Sequence, residues 1–198
     1  MFALTSSALA IVATVASHCP TAPSAIALAV VGQRTPIAVG AADEAARLWA
    51  PYGVSIETLG SVGVHGMLVH VRFAAPPDGS SDARALGTIE FHDGVPDPDV
   101  TLYPQRAWTL IVRTVGPAAN GWPLSYRDQV LGRVLGRALA HELGHFLLQM
   151  PAHTVNGLMR AVQPIVNLMD GTRSAFTLSA DEIAVLQARN RCGSGPSN

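Results

Sequence analysis

Residues 141–153 read HELGHFLLQMPAH, and three of them have types and a spacing that suit metal chemistry. His141 and His145 are four residues apart, so on an α-helix they lie one turn apart on the same face. Two imidazole nitrogens placed in this way can bind one Zn²⁺. Glu142 is rotated by about 100° from His141 around the helix axis, which puts it beside the metal instead of on it. The pattern predicts that Glu142 is a general base that removes a proton from a metal-activated water.

A catalytic zinc site needs a third protein ligand and one open position. His153 is the first candidate, because it follows Pro151, where the helix must stop and the chain can reverse direction. Three carboxylates farther along the chain are the alternatives: Asp170, Asp181 and Glu182. A carboxylate ligand would give a site of the thermolysin type. The spacing favours His153 but leaves this alternative open.

The metal motif belongs to the longest helical pattern in the chain. Ser125 opens this pattern, and Asp128 follows three residues later, as in a capping box. Apolar residues then recur with the period of a helix that has one buried face, without a break into the metal motif. A C-terminal helix is predicted at residues 180–190, where Ser179 and Glu182 form a second capping box.

Short apolar or alternating segments precede the long helix and predict the strands of a sheet. They lie at residues 25–31, 54–59, 67–73, 87–91 and 108–112, with an Ala-rich helix at 41–50 and an acidic turn at 92–100. Strands mixed with helices in this order predict an α/β (α+β) domain, in which a twisted mixed sheet packs on helices. The segment 87–91, GTIEF, is interpreted as an edge strand along which an extended substrate could pair.

A cluster of aspartates in the acidic turn allows one further hypothesis. Asp93, Asp97 and Asp99 could form a calcium loop, although such clusters are more often solvated turns. Ca²⁺ needs about six to eight oxygen ligands, which is more than these three residues supply alone.

The segment HELGHFLLQMPAHTVNGLM resembles the zinc-binding region of the metzincin metallopeptidases, and within them the matrixins. That family carries H-E-x-x-H-x-x-G-x-x-H and then a turn that contains methionine. Met159 matches the methionine of that turn, in preference to Met169, and FTLSADEIAVLQ at 176–187 resembles the matrixin C-terminal helix. The family glycine falls at Leu148, and His153 comes two residues later than the family histidine. The resemblance therefore implies a turn displaced to residues 150–151 if His153 is the ligand.

The resemblance implies a zincin fold and a zinc-dependent endopeptidase. His141, His145 and His153 would hold Zn²⁺, Glu142 would be the catalytic base, and Met159 would lie beneath the metal. Two alternatives remain: a zincin with a carboxylate third ligand, and a secreted domain that binds zinc without catalysis. A structural zinc site is normally closed by four protein ligands, and Glu142 favours catalysis over that reading.

Composition restricts the class of protein and its partners. Hydrophobic residues make up 48% of the 198 residues and charged residues 14%, with a net charge of −1. This composition predicts one folded domain, and it provides no basic surface for nucleic acid or an anionic membrane. The partner expected is a protein or peptide substrate, and the expected state is a monomer.

The first residues predict export. Residues 1–16 are apolar or small and contain no charged side chain. The stretch is shorter than the about 20 residues of a membrane-spanning helix and resembles the apolar core of a signal peptide. We therefore predict a signal peptide at 1–17, a single catalytic domain at 18–198, and a secreted or periplasmic location, against the alternative of a buried N-terminal helix or strand. In an oxidising compartment Cys19 and Cys192 could form a disulfide or remain free thiols.

Overall fold

The computed structural model describes residues 25–32, 34–59, 66–77 and 84–192. Its strands are β1 (Ala25–Val31), β2 (Ser55–Thr58), β3 (Met67–Phe73), β4 (Gly87–His92) and β5 (Val95–Leu102). Its helices are α1 (Pro36–Trp49), α2 (Pro104–Val115), α3 (Leu124–Leu148), α4 (Ile165–Met169) and α5 (Ala180–Cys192). The predicted signal peptide, Cys19 and the side chain of Cys192 lie outside this description.

The sheet has five strands in the order β2-β1-β3-β5-β4. The pairs β1–β2, β1–β3 and β3–β5 are parallel, whereas β4 runs antiparallel to β5. The predicted mixed α/β sheet is therefore confirmed, and the GTIEF segment lies in β4 at one edge. No helix in the described ranges is both long enough and apolar enough to cross a membrane.

The core lies between the sheet and the pair α1 and α3. The side chain of Thr35 caps α1 by accepting a hydrogen bond from the amide of Ala38 at 3.2 Å. The two helices approach closely because small residues face each other where they cross. A Cβ at Gly132 would lie 3.2 Å from the Cα of Gly40, and a Cβ at Gly136 would lie 2.6 Å from the Cβ of Glu44. This contact fixes α3, which carries the metal motif, relative to the rest of the domain.

The strand predicted at 108–112 is wrong, because these residues lie in helix α2. Pro104 occupies the start of the helix, where its missing amide is not needed. Ala107 and Ile111 are buried four residues apart, which is the spacing of one helix face. The apolar run WTLIV was too short a window to reveal this helical period.

The acidic turn predicted at 92–100 is also wrong beyond its first residues, because β4 and β5 form a hairpin there. The chain turns at Asp93 and Gly94, whose φ angles are 51° and 80°. An Asp-Gly pair with positive φ at both residues is typical of a tight β-hairpin. Pro96 is buried within β5, so two prolines in the sequence VPDPDVTL did not prevent a strand.

The aspartates of the calcium hypothesis do not come together in the hairpin. The Asp97 carboxylate lies 2.9 Å from Nε2 of His92, and the Asp99 carboxylate lies 3.5 Å from a guanidinium nitrogen of Arg72. They are engaged by different partners, and the three aspartates form no metal-ligand group within the described chain. The hypothesis of a calcium loop is therefore not supported.

The two predicted capping boxes have opposite outcomes. Helix α3 begins at Leu124 after Pro123 and has no side-chain cap, so Ser125 lies inside its first turn and the first box is wrong. At α5 the box is confirmed. The Ser179 amide donates to Oε2 of Glu182 at 2.6 Å, and the Glu182 amide donates to Oγ of Ser179 at 3.2 Å.

Candidate metal centre and active-site cleft

His141 and His145 present their Nε2 atoms to each other from consecutive turns of α3. These two atoms are 3.2 Å apart. Nδ1 of His141 bonds to the carbonyl oxygen of Leu158 at 2.9 Å, and Nδ1 of His145 bonds to that of Met150 at 2.6 Å. Because a carbonyl only accepts, each Nδ1 carries the proton and each Nε2 keeps a free lone pair. This tautomer is the one needed for metal binding through Nε2.

Burial also keeps these two imidazoles neutral. Desolvation lowers the pKa of His141 to about 4, with smaller contributions in the same direction from His145 and His153 and an opposing one from the bond to Leu158. Desolvation lowers the pKa of His145 as well, again against its bond to a carbonyl oxygen. Neutral imidazole is the form that binds metals, so both groups are ready for a ligand role at neutral pH.

His153 joins the pair from the loop after α3. Its ring centroid is 5.1 Å from that of His141 and 4.9 Å from that of His145. The chain reverses at Gln149, which ends the helix with a φ of 51°. The turn thus occurs one residue before the displaced turn at 150–151 that the resemblance implied. A residue in the left-handed conformation can end a helix, as glycine usually does. Gln149 therefore takes the place of the glycine in the family motif, at a cost in backbone strain.

The three histidines suit a tetrahedral metal with one open position. One ligand nitrogen from each lies within 4.8 Å of the others. Two imidazole nitrogens on a tetrahedral zinc at about 2.0–2.1 Å are about 3.3–3.4 Å apart, close to the separation between the first two histidines. Within the described residues, no fourth His, Cys, Asp or Glu belongs to this group. The donor set therefore fits zinc of the catalytic kind better than a closed structural site.

The carboxylate alternatives for the third ligand are engaged elsewhere. Glu182 is buried in the cap of α5. Oδ1 of Asp170 accepts a hydrogen bond from the amide of Thr172 at 2.6 Å, which is the main reason that its pKa is lowered. Asp181 is exposed in the first turn of α5. None of the three joins the histidine group.

Glu142 lies beside the histidines and reaches the edge strand. It is 8% exposed, and its carboxylate receives a hydrogen bond from the backbone amide of Ile89 in β4. Gly87 leaves the room for it, because a Cβ there would lie 3.2 Å from Cγ of Glu142. Burial raises the pKa of Glu142 to about 8, and the bond from Ile89 only partly opposes this. A divalent cation nearby would favour the ionised form again.

Met159 packs against the motif helix from below. It is 1% exposed, and a Cβ at Gly144 would lie 2.2 Å from its Sδ atom. Its neighbour Leu158 supplies the carbonyl that orients His141. The rival Met169 ends α4, away from this contact, where its carbonyl accepts from Arg133. Met159 therefore packs against the helix that carries His141 and His145, next to the residue that orients His141.

The three histidines and Glu142 open into one cleft of about 600 Å³. Strand β4 forms one wall through residues 87–89 and Phe91, and the segment 160–165 forms another. Leu110, Ala138, Leu168 and Phe176 add apolar lining. The three histidines therefore face a groove that runs along the edge strand β4.

One network that sequence analysis did not identify holds the loop beyond Met159. Arg137 is buried on α3, one turn before His141, and its Nε donates to Oε1 of Glu44 at 3.0 Å. It also donates to the carbonyl oxygens of Asn167 and Thr172, while Arg173 donates to Oε2 of Glu44 at 2.6 Å. An arginine four residues before the metal motif was the available signal. Its partner is 93 residues away in the sequence, which no local pattern could identify.

The chain is similar in structure to archaemetzincin from Methanopyrus kandleri, with a TM-score of 0.51 and 12% sequence identity. The alignment covers 89% of this chain and 99% of the archaemetzincin chain. A likeness at this identity establishes the fold, so the expected zincin-like α/β fold is confirmed. No protein-family model matches the sequence, and no curated protein matches it.

Proposed function

We propose that this protein is a zinc-dependent endopeptidase. The observation that carries the proposal is the arrangement of three histidines with a buried glutamate beside them in one cleft. The fold shared with archaemetzincin supports it. So does the resemblance of residues 141–159 to the metzincin motif.

His141, His145 and His153 would hold the metal. A zinc ion held by these three imidazoles would polarise the substrate carbonyl and lower the pKa of a coordinated water to about 7. The carbonyl groups of Leu158 and Met150 keep two of the imidazoles in the right tautomer and orientation.

Glu142 moves the proton in the proposed reaction. Its carboxylate, held by the amide of Ile89, accepts a proton from the attacking water and later delivers it to the leaving amine. Burial excludes bulk water from this group, which strengthens its interaction with charges that develop in the cleft.

Strand β4 is proposed to align the substrate. It is an edge strand of the sheet, and Gly87, Thr88, Ile89 and Phe91 line the cleft. An extended peptide can pair with such an edge through backbone hydrogen bonds. The Ile89 amide also holds Glu142, so the strand would position the substrate and the base together.

The test begins with metal and activity. Purified protein should contain about one zinc per chain, and it should cleave a mixed peptide library. Glu142→Ala should keep the zinc and lose hydrolysis. Retained hydrolysis in that variant would show that another group is the base.

The third ligand has a matched control. His153→Ala should weaken zinc binding strongly, about 100-fold or more by titration with a competing chelator, because one of three ligands is lost. Asp170→Ala removes an exposed carboxylate of the rival assignment and should leave zinc affinity unchanged. The reverse result would favour a carboxylate ligand.

Export and the single catalytic domain at 18–198 form part of the same proposal. The apolar segment at 1–17 supports a secreted or periplasmic protein that acts as a monomer on protein or peptide substrates. N-terminal sequencing of protein recovered outside the cytoplasm should begin near residue 17 or 18. An unprocessed Met1 in that fraction would contradict the proposed cleavage.

A further inference from the structure

Arg160 follows Met159 directly, and its backbone is fixed beside the third histidine. Residues 154 and 160 form an isolated parallel bridge. The amide of Thr154 donates to the carbonyl oxygen of Met159 at 2.9 Å, and the amide of Arg160 donates to that of Gly157 at 3.4 Å. Thr154 is the residue after His153, so this bridge holds the backbone of Arg160 next to the three histidines.

Arg160 is half-buried and lines the cleft that contains the histidines and Glu142. It begins the wall at 160–165, opposite the wall formed by β4. From this wall, a side chain as long as that of arginine can reach a peptide bound in the cleft.

None of the described residues that line the cleft is paired with the side chain of Arg160 as a counter-ion. Arg84 and Arg137 also line the cleft, but Arg84 makes an interaction within the chain and Arg137 is committed to Glu44 and two carbonyl oxygens. The side chain of Arg160 has no hydrogen bond or ion pair to any residue in the described ranges. Among the described lining residues Glu142 is the only acid.

We propose that Arg160 binds a carboxylate of the substrate. The cleft would then prefer peptides that carry an acidic side chain, or a free C-terminus, where the bound chain passes residues 160–165. A planar guanidinium suits this task because it can donate two parallel hydrogen bonds to one carboxylate. The inference rests on the proposed peptidase function and adds the chemical class of substrate.

The experiment measures binding, so that it does not depend on catalysis. The probes are alanine-based peptides blocked at both ends that carry Glu, Gln or Lys at one position, with that position moved along the peptide. A second set carries Ala throughout and has either a free or an amidated C-terminus. Zinc-loaded Glu142→Gln protein serves as the reference, since it should bind the peptides without cutting them.

One expected result is that the reference binds the best Glu peptide about tenfold or more tightly than the matching Gln peptide. The other is that it binds the peptide with a free C-terminus about tenfold or more tightly than the amidated peptide. The first result identifies an acidic side chain as the ligand, and the second identifies the terminal carboxylate. Adding Arg160→Met should abolish the preference while leaving the affinity for the neutral peptides unchanged. Arg160→Lys should keep part of it, because a point charge remains without the fork geometry.

Arg113→Met is the matched control. Arg113 is exposed at the end of α2 and is not among the residues that line the cleft, so this change should leave the preference intact. Equal binding of the Glu and Gln peptides and of the free and amidated C-termini by the reference would overturn the proposal. So would a preference that survives Arg160→Met. If the wild-type protein cuts no peptide of a library, the proposed peptidase function fails, and the binding comparison still decides the role of Arg160.

Discussion

The contact between Gly144 and Met159 gives a prediction that the structure makes quantitative. Gly144 lies near the C-terminal end of α3, between Glu142 and His145, and Met159 fills the space that a side chain there would need. A Cβ at residue 144 would lie 2.2 Å from Sδ and 2.9 Å from Cε of Met159, and 3.4 Å from Cζ2 of Trp49. Ordinary contacts between such atoms are about 3.5–4.0 Å, so Gly144→Ala must displace the methionine.

The magnitude follows from two opposing effects. Overpacking of a buried core lowers the free energy of unfolding by about 3 kcal/mol at the upper end of the usual range. The short distance to Met159 places Gly144→Ala at that end. Alanine in place of glycine inside a helix returns about 1 kcal/mol. Gly144→Ala should therefore lower the free energy of unfolding by about 2 kcal/mol.

The double mutant reverses the sign. In a Met159→Ala background the space beneath Gly144 is empty, so Gly144→Ala should raise the free energy of unfolding by about 1 kcal/mol. The coupling between the two sites is then about 3 kcal/mol, a value typical of residues in direct contact. Urea unfolding of the metal-free proteins measures all four corners of this cycle.

A Met169→Ala background is the matched control. It removes a partly buried methionine that does not contact residue 144, and Gly144→Ala should remain destabilising there. The reasoning is refuted if Gly144→Ala destabilises the protein equally with and without Met159. That result would mean that Met159 does not pack beneath the metal motif.

Two further predictions concern buried charge. Glu44→Ala should lower the free energy of unfolding by about 3–5 kcal/mol in urea, because it leaves the guanidinium of Arg137 buried without its carboxylate. Asp43→Ala, on the exposed side of α1, should have little effect. Burial raises the pKa of Glu142 to about 8. Its contribution to the stability of the metal-free protein is therefore fully present below about pH 4.5 and is lost as the pH rises through 8.

Glu142→Gln tests this pH dependence directly. The two proteins share all other titratable groups, so the difference between their free energies of unfolding isolates Glu142. Between pH 5 and pH 9 that difference should move in favour of the glutamine variant by roughly 3–5 kcal/mol. A difference that stays constant with pH would show that the carboxyl group is not desolvated as the structure describes. For the other prediction, an equal loss of stability in Asp43→Ala and Glu44→Ala would contradict the buried ion pair between Glu44 and Arg137.

Local patterns predicted much of the fold. The strands at 25–31 and 67–73 were predicted with the observed bounds, since each is a short run rich in β-branched and apolar residues between breakers. The long helix ended within a few residues of its predicted stop because Pro151 forbids its continuation. The prediction failed at α2 because five residues are too few to show the period of a helix. It failed at β5 because its two prolines are more typical of a turn than of a strand.

The sequence by itself determined the pair of histidines and the glutamate beside them, because helix geometry places residues one and four positions apart in a fixed relation. It also determined a third histidine close to the helix end. Only the tertiary structure decided that His153 returns to the pair, since this depends on the left-handed residue Gln149 and on the bridge between residues 154 and 160.

The same is true of the groups that surround the histidines. Glu142 meets the amide of Ile89, Met159 fills the space at Gly144, and Arg137 pairs with Glu44. Each of these contacts joins segments that are distant in the sequence. They exist because α1 and α3 pack together through small residues and because β4 lies at the edge of the sheet. Long-range packing, which leaves no local pattern in the sequence, therefore decides how the three histidines and Glu142 are buried, how they are oriented and that they face the cleft.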